Sequence, residues 1–384
     1  VNAIIKENLA GIRVVKSFNR QSYEEERFKE RNESLKDTAL EAISIIILSM
    51  PILNLVIYST IVVVLWFGGQ QIVAGQMESG ELISFITYIT QVLMALMMIS
   101  MFFMQLLRGI ASKDRILEVW ATESEIIEKE NPITNIKDGS ITFEGVNFSY
   151  PSSRESVLKN INVEIKSGET IGIIGSTGSS KSTFVQLIPR LYDVKEGAVS
   201  VGGVNVKDYS IEALRDQVAF VLQKNTLFSG TIRENMQWGN QEASDEEIIE
   251  VLKQAQAWEF VSEYEEGLDY WVEQGGSNFS GGQKQRLSIA RALIKKPKII
   301  ILDDSTSAVD MTTDAKIQKV FSKELDKITT IIIGQRISSI QQADRIIVMH
   351  EGQIESIGDH NDLLKISPIY QEIYESQERG VVGE

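Results

Sequence analysis

Two stretches without a single charged side chain constrain this chain more than any other feature. No Asp, Glu, Lys or Arg occurs between Ala42 and Met77, nor between Leu82 and Leu107. A helix needs about 20 consecutive apolar residues to cross the hydrocarbon core of a bilayer. The first run predicts a span over residues 42–67, followed by a turn-rich loop, GGQQIVAGQMESG. The second predicts a span over residues 82–107. Core helices of soluble proteins seldom sustain uncharged runs of this length, and Pro51 is placed to kink the first helix. Lys6, Arg13, Lys16 and Arg20 precede the first run, and Arg108, Lys113 and Arg115 follow the second. The connecting loop holds only Glu78 and Glu81. The excess of basic residues on the outer flanks predicts that both lie in the cytoplasm, with the loop outside, in a chain that crosses the cell membrane more than once.

Around these runs the pattern divides the 384 residues into regions. Residues 1–41 read as polar amphipathic helix interrupted near Gly11, with Ile12, Val14, Val15 and Phe18 as a short apolar cluster. Residues 1–120 are expected to form one domain and residues 121–138, acidic and containing Pro132, a linker. From residue 139 to 384 short β-rich runs appear, over 140–150, 157–165 and 170–175, and then strands alternate with helices. That alternation predicts an α/β domain with a mostly parallel sheet. A Lys166-Ser167-Gly168-Glu169 turn separates two of the runs, and Ser244 with Glu247 predicts a capping box before an apolar helix face. The net charge of −15 argues against a nucleic-acid partner, and the absence of cysteine excludes disulfides and thiolate metal sites.

One loop carries the chemistry. The apolar run TIGII leads into Gly175, Ser176, Thr177, Gly178, Ser179, Ser180, Lys181, Ser182 and Thr183, and then into a helical pattern. Strand, glycine-rich loop and helix in this order form a phosphate-binding loop. Its backbone N–H groups cradle phosphates, Lys181 is positioned for the β- and γ-phosphates of ATP, and the Ser182 hydroxyl for Mg²⁺. Ser180 stands where the motif has glycine, and its Cβ is expected to crowd the phosphates or strain the loop. Residues 296–304, KPKIIILDD, predict a buried strand that brings Asp303 to the metal.

The segment FSGGQKQRLSIARAL, residues 279–293, resembles the signature of the ABC proteins. With the phosphate loop and the Asp303 strand, it identifies the chain as similar to ABC exporters along essentially its whole length. The fold so implied is an α-helical transmembrane segment followed by an α/β ATP-binding domain with an antiparallel β subdomain and a helical subdomain. Ser280, Gly281, Gly282 and Gln283 would cap ATP held by an opposing subunit. Tyr150 would stack on adenine, Gln223 would touch Mg²⁺, and Ser307, Ala308 and Asp310 would form the D-loop. Glu273 to Gly276 would face the membrane domain. Residues 11–18 look like a coupling helix that docks on the other subunit's nucleotide domain. The two spans would then be the fifth and sixth of such a subunit, with the earlier ones outside this sequence, which starts at Val1.

Two further positions depart from the family pattern. Asp304 stands where the family has Glu, one methylene short of the carboxylate that orients the attacking water, and a misplacement of about 1 Å can cost about 100-fold in rate. Gln335 stands where the family has His, and it cannot shuttle a proton. With Ser180, these changes resemble the degenerate-site subunit of heterodimeric bacterial multidrug exporters. The expected partner is a second subunit with intact Glu and His. A slowly hydrolysing homodimer and a nucleotide-binding regulator are the alternatives. Met94, Met97, Met98, Met101, Phe102, Phe103 and Met104 give the second span an adaptable apolar surface. Neither span offers a charge, so the expected cargo is a hydrophobic or amphipathic molecule.

Overall fold

A computed structural model describes residues 1–304 apart from 152 and 154, isolated positions between 313 and 320, and residues 327–382. The expected D-loop residues Ser307, Ala308 and Asp310 lie outside the described residues, as do the side chains of Met101 and Met104. The chain folds as two units, residues 1–123 and 124–384.

The first unit is helical. Helices α1 (Asn2–Ala10) and α2 (Ile12–Ser17) are separated at Gly11. Helix α3 (Gln21–Val73) has 53 residues and carries Pro51 in its interior without ending there. Helix α4 (Ser79–Trp120) has 42 residues and begins with a reciprocal capping box between Glu78 and Glu81. Pro51–Val73 and Ser79–Ile99 are each long and apolar enough to cross a membrane, with a mean hydropathy of 2.0. Large apolar side chains along them, such as Leu55, Trp66, Phe67 and Phe85, are exposed. A face of that composition suits contact with lipid or with other apolar helices.

The loop between the spans is shorter than the sequence predicts. Gly68 and Gly69 continue α3 instead of starting a turn, and only residues 74–78 connect the helices. The cause is tertiary. Leu82 is buried against Gly68, where a Cβ would stand 2.3 Å from the Leu82 Cδ1. Glycine thus allows close approach of the two helices here, a use that intrinsic propensity does not reveal.

The second unit opens with an irregular segment that is nonetheless tied down. Ile127 O accepts from Arg190 Nη2 at 3.0 Å, and the Ile133 N–H donates to Asp208 O at 2.8 Å. Strands β1 (Ile141–Phe148), β2 (Leu158–Ile165) and β3 (Thr170–Ile174) follow, then helix α5 (Lys181–Gln186). Next come β4 (Glu196–Val201), β5 (Val204–Asn205), α6 (Ile211–Gln217), β6 (Val218–Val221), β7 (Gly230–Thr231) and α7 (Ile232–Gln237). Helices α8 (Asp245–Gln254) and α9 (Trp258–Val261), strand β8 (Trp271–Val272) and helix α10 (Gly281–Leu293) form the helical part. Strands β9 (Ile299–Asp303), β10 (Thr329–Ile333), β11 (Arg345–His350) and β12 (Gln353–Gly358) precede the terminal helices α11 (His360–Ile366) and α12 (Pro368–Val382).

Two main sheets result. One is antiparallel, in the order β2-β1-β4-β5. The other has the order β12-β11-β3-β10-β9-β6 and is parallel except at β12. The parallel strands are mostly apolar runs, rich in Ile and Val, because both their faces are covered. Alternation sorts their side chains. Ile299, Ile301, Ile331 and Ile333 join the core shared with the antiparallel sheet, where Phe143 stacks on Phe184 at 4.3 Å. Ile300, Leu302 and Ile332 join the core shared with Ile248, Leu252 and Leu287 of the helical part. Ser244 and Glu247 form the predicted capping box of α8. The architecture is the one implied by the resemblance: transmembrane helices, then an α/β domain with antiparallel and helical subdomains.

Candidate nucleotide site

The carboxyl ends of β3, β9 and β10 lie side by side in the parallel sheet, the place where open α/β sheets hold ligands. Residues 175–183 turn from β3 into α5. At Gly175 a Cβ would stand 2.1 Å from Met349 O, so the bend requires glycine. Ser180 adopts φ 72° and ψ 22°, a left-handed conformation that costs a non-glycine residue about 1–2 kcal/mol. The strain expected at this position is therefore present, and it resides in the backbone.

A cavity of about 570 Å³ opens over this loop. Its lining includes Gly175, Ser176, Thr177, Gly178, Ser180, Lys181, Ser182, Thr183, Gln223, Asp303, Asp304 and Gln335. Lys181 Nζ donates to Gly175 O at 2.7 Å, to Ser176 O at 2.9 Å and to Ser179 Oγ at 3.3 Å. Burial pulls its pKa down, against the pull of Asp303 and Asp304. Ser182 Oγ donates to Asp303 Oδ1 at 3.1 Å. Burial pushes the Asp303 carboxyl up; the Ser182 hydroxyl opposes this, neighbouring Asp304 adds to it, and Lys181 opposes it.

Asp304 follows β9 in a left-handed conformation, φ 48°, with its N–H donating to Ile333 O at 3.0 Å. Its Oδ2 accepts from Gln335 Nε2 at 2.7 Å and from Gln223 Nε2 at 3.3 Å. Burial raises this carboxyl too, opposed by the Gln223 hydrogen bond, Lys181, the Gln335 hydrogen bond and Arg336. The first turn of α5 and the carboxyl ends of β6, β9 and β10 thus bring Lys181, Ser182, Gln223, Asp303, Asp304 and Gln335 together. The donors fit Mg²⁺ chemically. Ser182, Asp303 and Gln223 offer hard oxygen atoms, and Mg²⁺ with a nucleotide uses few protein ligands and keeps waters. Among the described residues no cluster of three His, Cys, Asp or Glu forms a metal cage.

The remaining candidates are arranged differently. Tyr150 does not line the cavity. Its hydroxyl lies 2.9 Å from Thr183 Oγ1, and its ring packs edge-on against Phe148 and Tyr192. Ser280, Gly281, Gly282 and Gln283 are also absent from the cavity wall. Ser280 caps α10, and its Oγ accepts from Gln283 N at 3.3 Å while Gln283 Oε1 accepts from Ser280 N at 2.9 Å. The S-x-x-Q of this segment is therefore a capping box. Sequence reasoning missed three participants. Val157 and Ile333 complete the cavity wall, and Gln285 of α10 donates to Asp304 O at 3.4 Å. Only the periodicity of α10, which buries Gln285, hinted at the last.

Comparison with known proteins gives these features a context. Residues 158–307 match the family model described as ABC transporter, and residues 1–96 match the ABC transporter transmembrane region. The uncharacterized ABC transporter ATP-binding protein YfiB of Bacillus subtilis (strain 168) is 42% identical over 377 residues, covering 98% of this chain and 65% of that protein. An ATP-dependent lipid A-core flippase of Desulfotalea psychrophila is 34% identical over 379 residues, covering 98% of this chain and 66% of that protein. A bacterial Atm1-family ABC exporter solved with ATP bound superposes with a TM-score of 0.89 at 28% identity, covering 98% of this chain and 66% of that one. The chain therefore spans just under two thirds of the length of these relatives.

Proposed function

The chain belongs to the ABC transporter family, and from that premise we propose that it is one subunit of a heterodimeric, ATP-driven exporter with a degenerate nucleotide site of its own. In this reading the site binds ATP with Mg²⁺ and hydrolyses it poorly, while Ser280 to Gln283 complete the partner's active site. The observation that carries the reading is the contact between the two altered positions, Gln335 Nε2 to Asp304 Oδ2 at 2.7 Å. The Asp304 carboxylate is a methylene short, and one of its oxygens is held by two amides. Neither amide exchanges a proton at neutral pH. The site can thus grip phosphates without moving the proton that activates water.

The remaining roles follow from the donor set. Lys181 turns from the Gly175 and Ser176 carbonyls to phosphate oxygens. Ser182, Gln223 and Asp303 hold the metal, which neutralises phosphate charge when bound. The backbone of residues 175–183 supplies N–H donors, and Tyr150 with Thr183 flanks the base and sugar side. The protein resides in the cytoplasmic membrane, with the ATP-binding domain in the cytoplasm. The cargo is hydrophobic or amphipathic, of the multidrug or lipid class. Exposed Met94, Met98, Phe102 and Phe103 on α4 support this, as does a relative named as a lipid A-core flippase.

The test compares the full chain alone with the chain co-expressed with a partner carrying Glu and His. Alone it is expected to bind ATP with little turnover, and with the partner to support turnover and transport of a dye or lipid. Ordinary exporter turnover by the chain alone would overturn the degenerate-site reading in favour of a homodimer. Binding without turnover in the presence of a competent partner would favour a regulator. Asp304→Glu with Gln335→His is expected to raise the chain's own hydrolysis about 100-fold.

A further inference from the structure

The loop that carries Gln335 is held from outside the site. It leaves the end of β10 at Ile333 and enters a short turn of helix at Ile337. The Gly334 N–H donates to Ile173 O at 3.1 Å, and Arg336 O accepts from Ser339 N at 3.2 Å. Two more backbone groups of this stretch, Gln335 O and Ile337 N–H, are met by a single side chain on the last helix. Gln377 of α12 donates from Nε2 to Gln335 O at 2.8 Å and accepts at Oε1 from Ile337 N at 2.9 Å.

The two partners fix the orientation of this amide, because a carbonyl can only accept and a backbone N–H can only donate. Gln377 thus pairs with the loop as a strand neighbour would, bridging residue 335 and residue 337. Gln335 in turn reaches Asp304 from the other side of its own peptide. The side chain that lines the cavity and the carbonyl that Gln377 holds belong to one residue, so freeing the carbonyl frees the side chain.

We propose that Gln377 is a positioning residue of the nucleotide site: by clamping the backbone of residues 335–337 it holds Gln335 where it contacts the terminal phosphate of ATP. The inference rests on the reading of Gln335 as a phosphate contact. It makes the C-terminal helix part of the device that retains ATP at a poorly hydrolysing site. ADP lacks the group that Gln335 addresses, so the clamp acts on ATP alone.

The experiment measures ATP and ADP affinity, with Mg²⁺, of the full chain in detergent or nanodiscs. Gln377→Ala is expected to weaken ATP about tenfold and to leave ADP within about twofold, the scale of one or two lost hydrogen bonds. A double-mutant cycle supplies the second readout: in a Gln335→Ala background, Gln377→Ala is expected to add nothing. Gln377→Glu keeps the size and the acceptor but sets a carboxylate against Gln335 O. Its ATP affinity relative to the unmodified chain is expected to recover as pH falls toward the carboxyl's titration range, where a protonated Glu can donate again. Equal weakening of ATP and ADP by Gln377→Ala, or additivity in the cycle, would overturn the proposal while leaving the reading of Gln335 intact. If Gln335→Ala itself leaves the ATP-to-ADP preference unchanged, the reading and the proposal fall together.

Discussion

Two non-glycine residues of the site hold left-handed backbone conformations, and they do so on different terms. Asp304, at φ 48°, belongs to a residue type whose short polar side chain tolerates this region. Ser180, at φ 72°, gains no such relief, and among the described residues its hydroxyl makes no cap to α5. Replacing it with glycine removes about 1 kcal/mol of backbone strain and restores about 0.5 kcal/mol of unfolded-chain entropy. Ser180→Gly is therefore expected to raise the melting temperature slightly and to tighten ATP binding, as read by thermal denaturation with and without Mg²⁺-ATP. A lower melting temperature for the variant would show that the Ser180 side chain contributes something the backbone geometry hides. The same logic bears on Asp304→Glu, which lengthens the carboxylate at a backbone position better suited to Asp.

At the level of elements, one ion pair joins the starts of two neighbouring strands. Arg345, opening β11, makes a bidentate pair with Glu169, which immediately precedes β3. Glu169 also accepts from the Lys166 N–H at 2.8 Å, closing the turn that Gly168 permits at φ 81°. Burial pushes the Glu169 carboxyl up, but the Arg345 hydrogen bonds and the Lys166 N–H outweigh it, so its pKa lies below the ordinary value. A carboxyl lowered by folding contributes stability at any pH above its unfolded pKa, and loses it as pH falls through the lowered folded value. Glu169→Gln is expected to cost about 2 kcal/mol at neutral pH, with the gap to the unmodified chain closing below about pH 4. Chemical denaturation at several pH values checks this; a gap that is flat with pH would sink it. The turn itself was legible in Lys166 to Glu169, as were the β9 strand in its run of isoleucines and the α8 cap in Ser244 and Glu247. What escaped the sequence was contact at long separation. Gly68 as a seat for Leu82, Gln285 under Asp304, and Gln377 on the loop that carries Gln335 each depend on a partner that no local pattern names. Gln377 stands 42 residues from Gln335, on α12.

For the whole molecule, what matters is that among the described residues the two groups of proposed nucleotide contacts do not share one cavity. Lys181, Ser182 and Asp303 share a cavity, whereas Ser280 to Gln283 cap α10 away from it. One bond links the two groups indirectly, from Gln285 of α10 to the Asp304 carbonyl. In a subunit whose signature serves its partner, damage to each half should be felt in a different place. Lys181→Ala is expected to abolish ATP binding at the chain's own site. Ser280→Ala removes a helix cap worth about 1 kcal/mol and leaves that binding unchanged. It should nevertheless lower turnover of the paired complex by about 100-fold, the scale of losing a positioned donor at a developing charge. Measuring ATP binding on the chain alone and turnover on the complex separates these effects. If Ser280→Ala weakens the chain's own ATP binding as much as Lys181→Ala does, the two halves act on one nucleotide, and the division between a retained ATP and a partner's working site has to be abandoned.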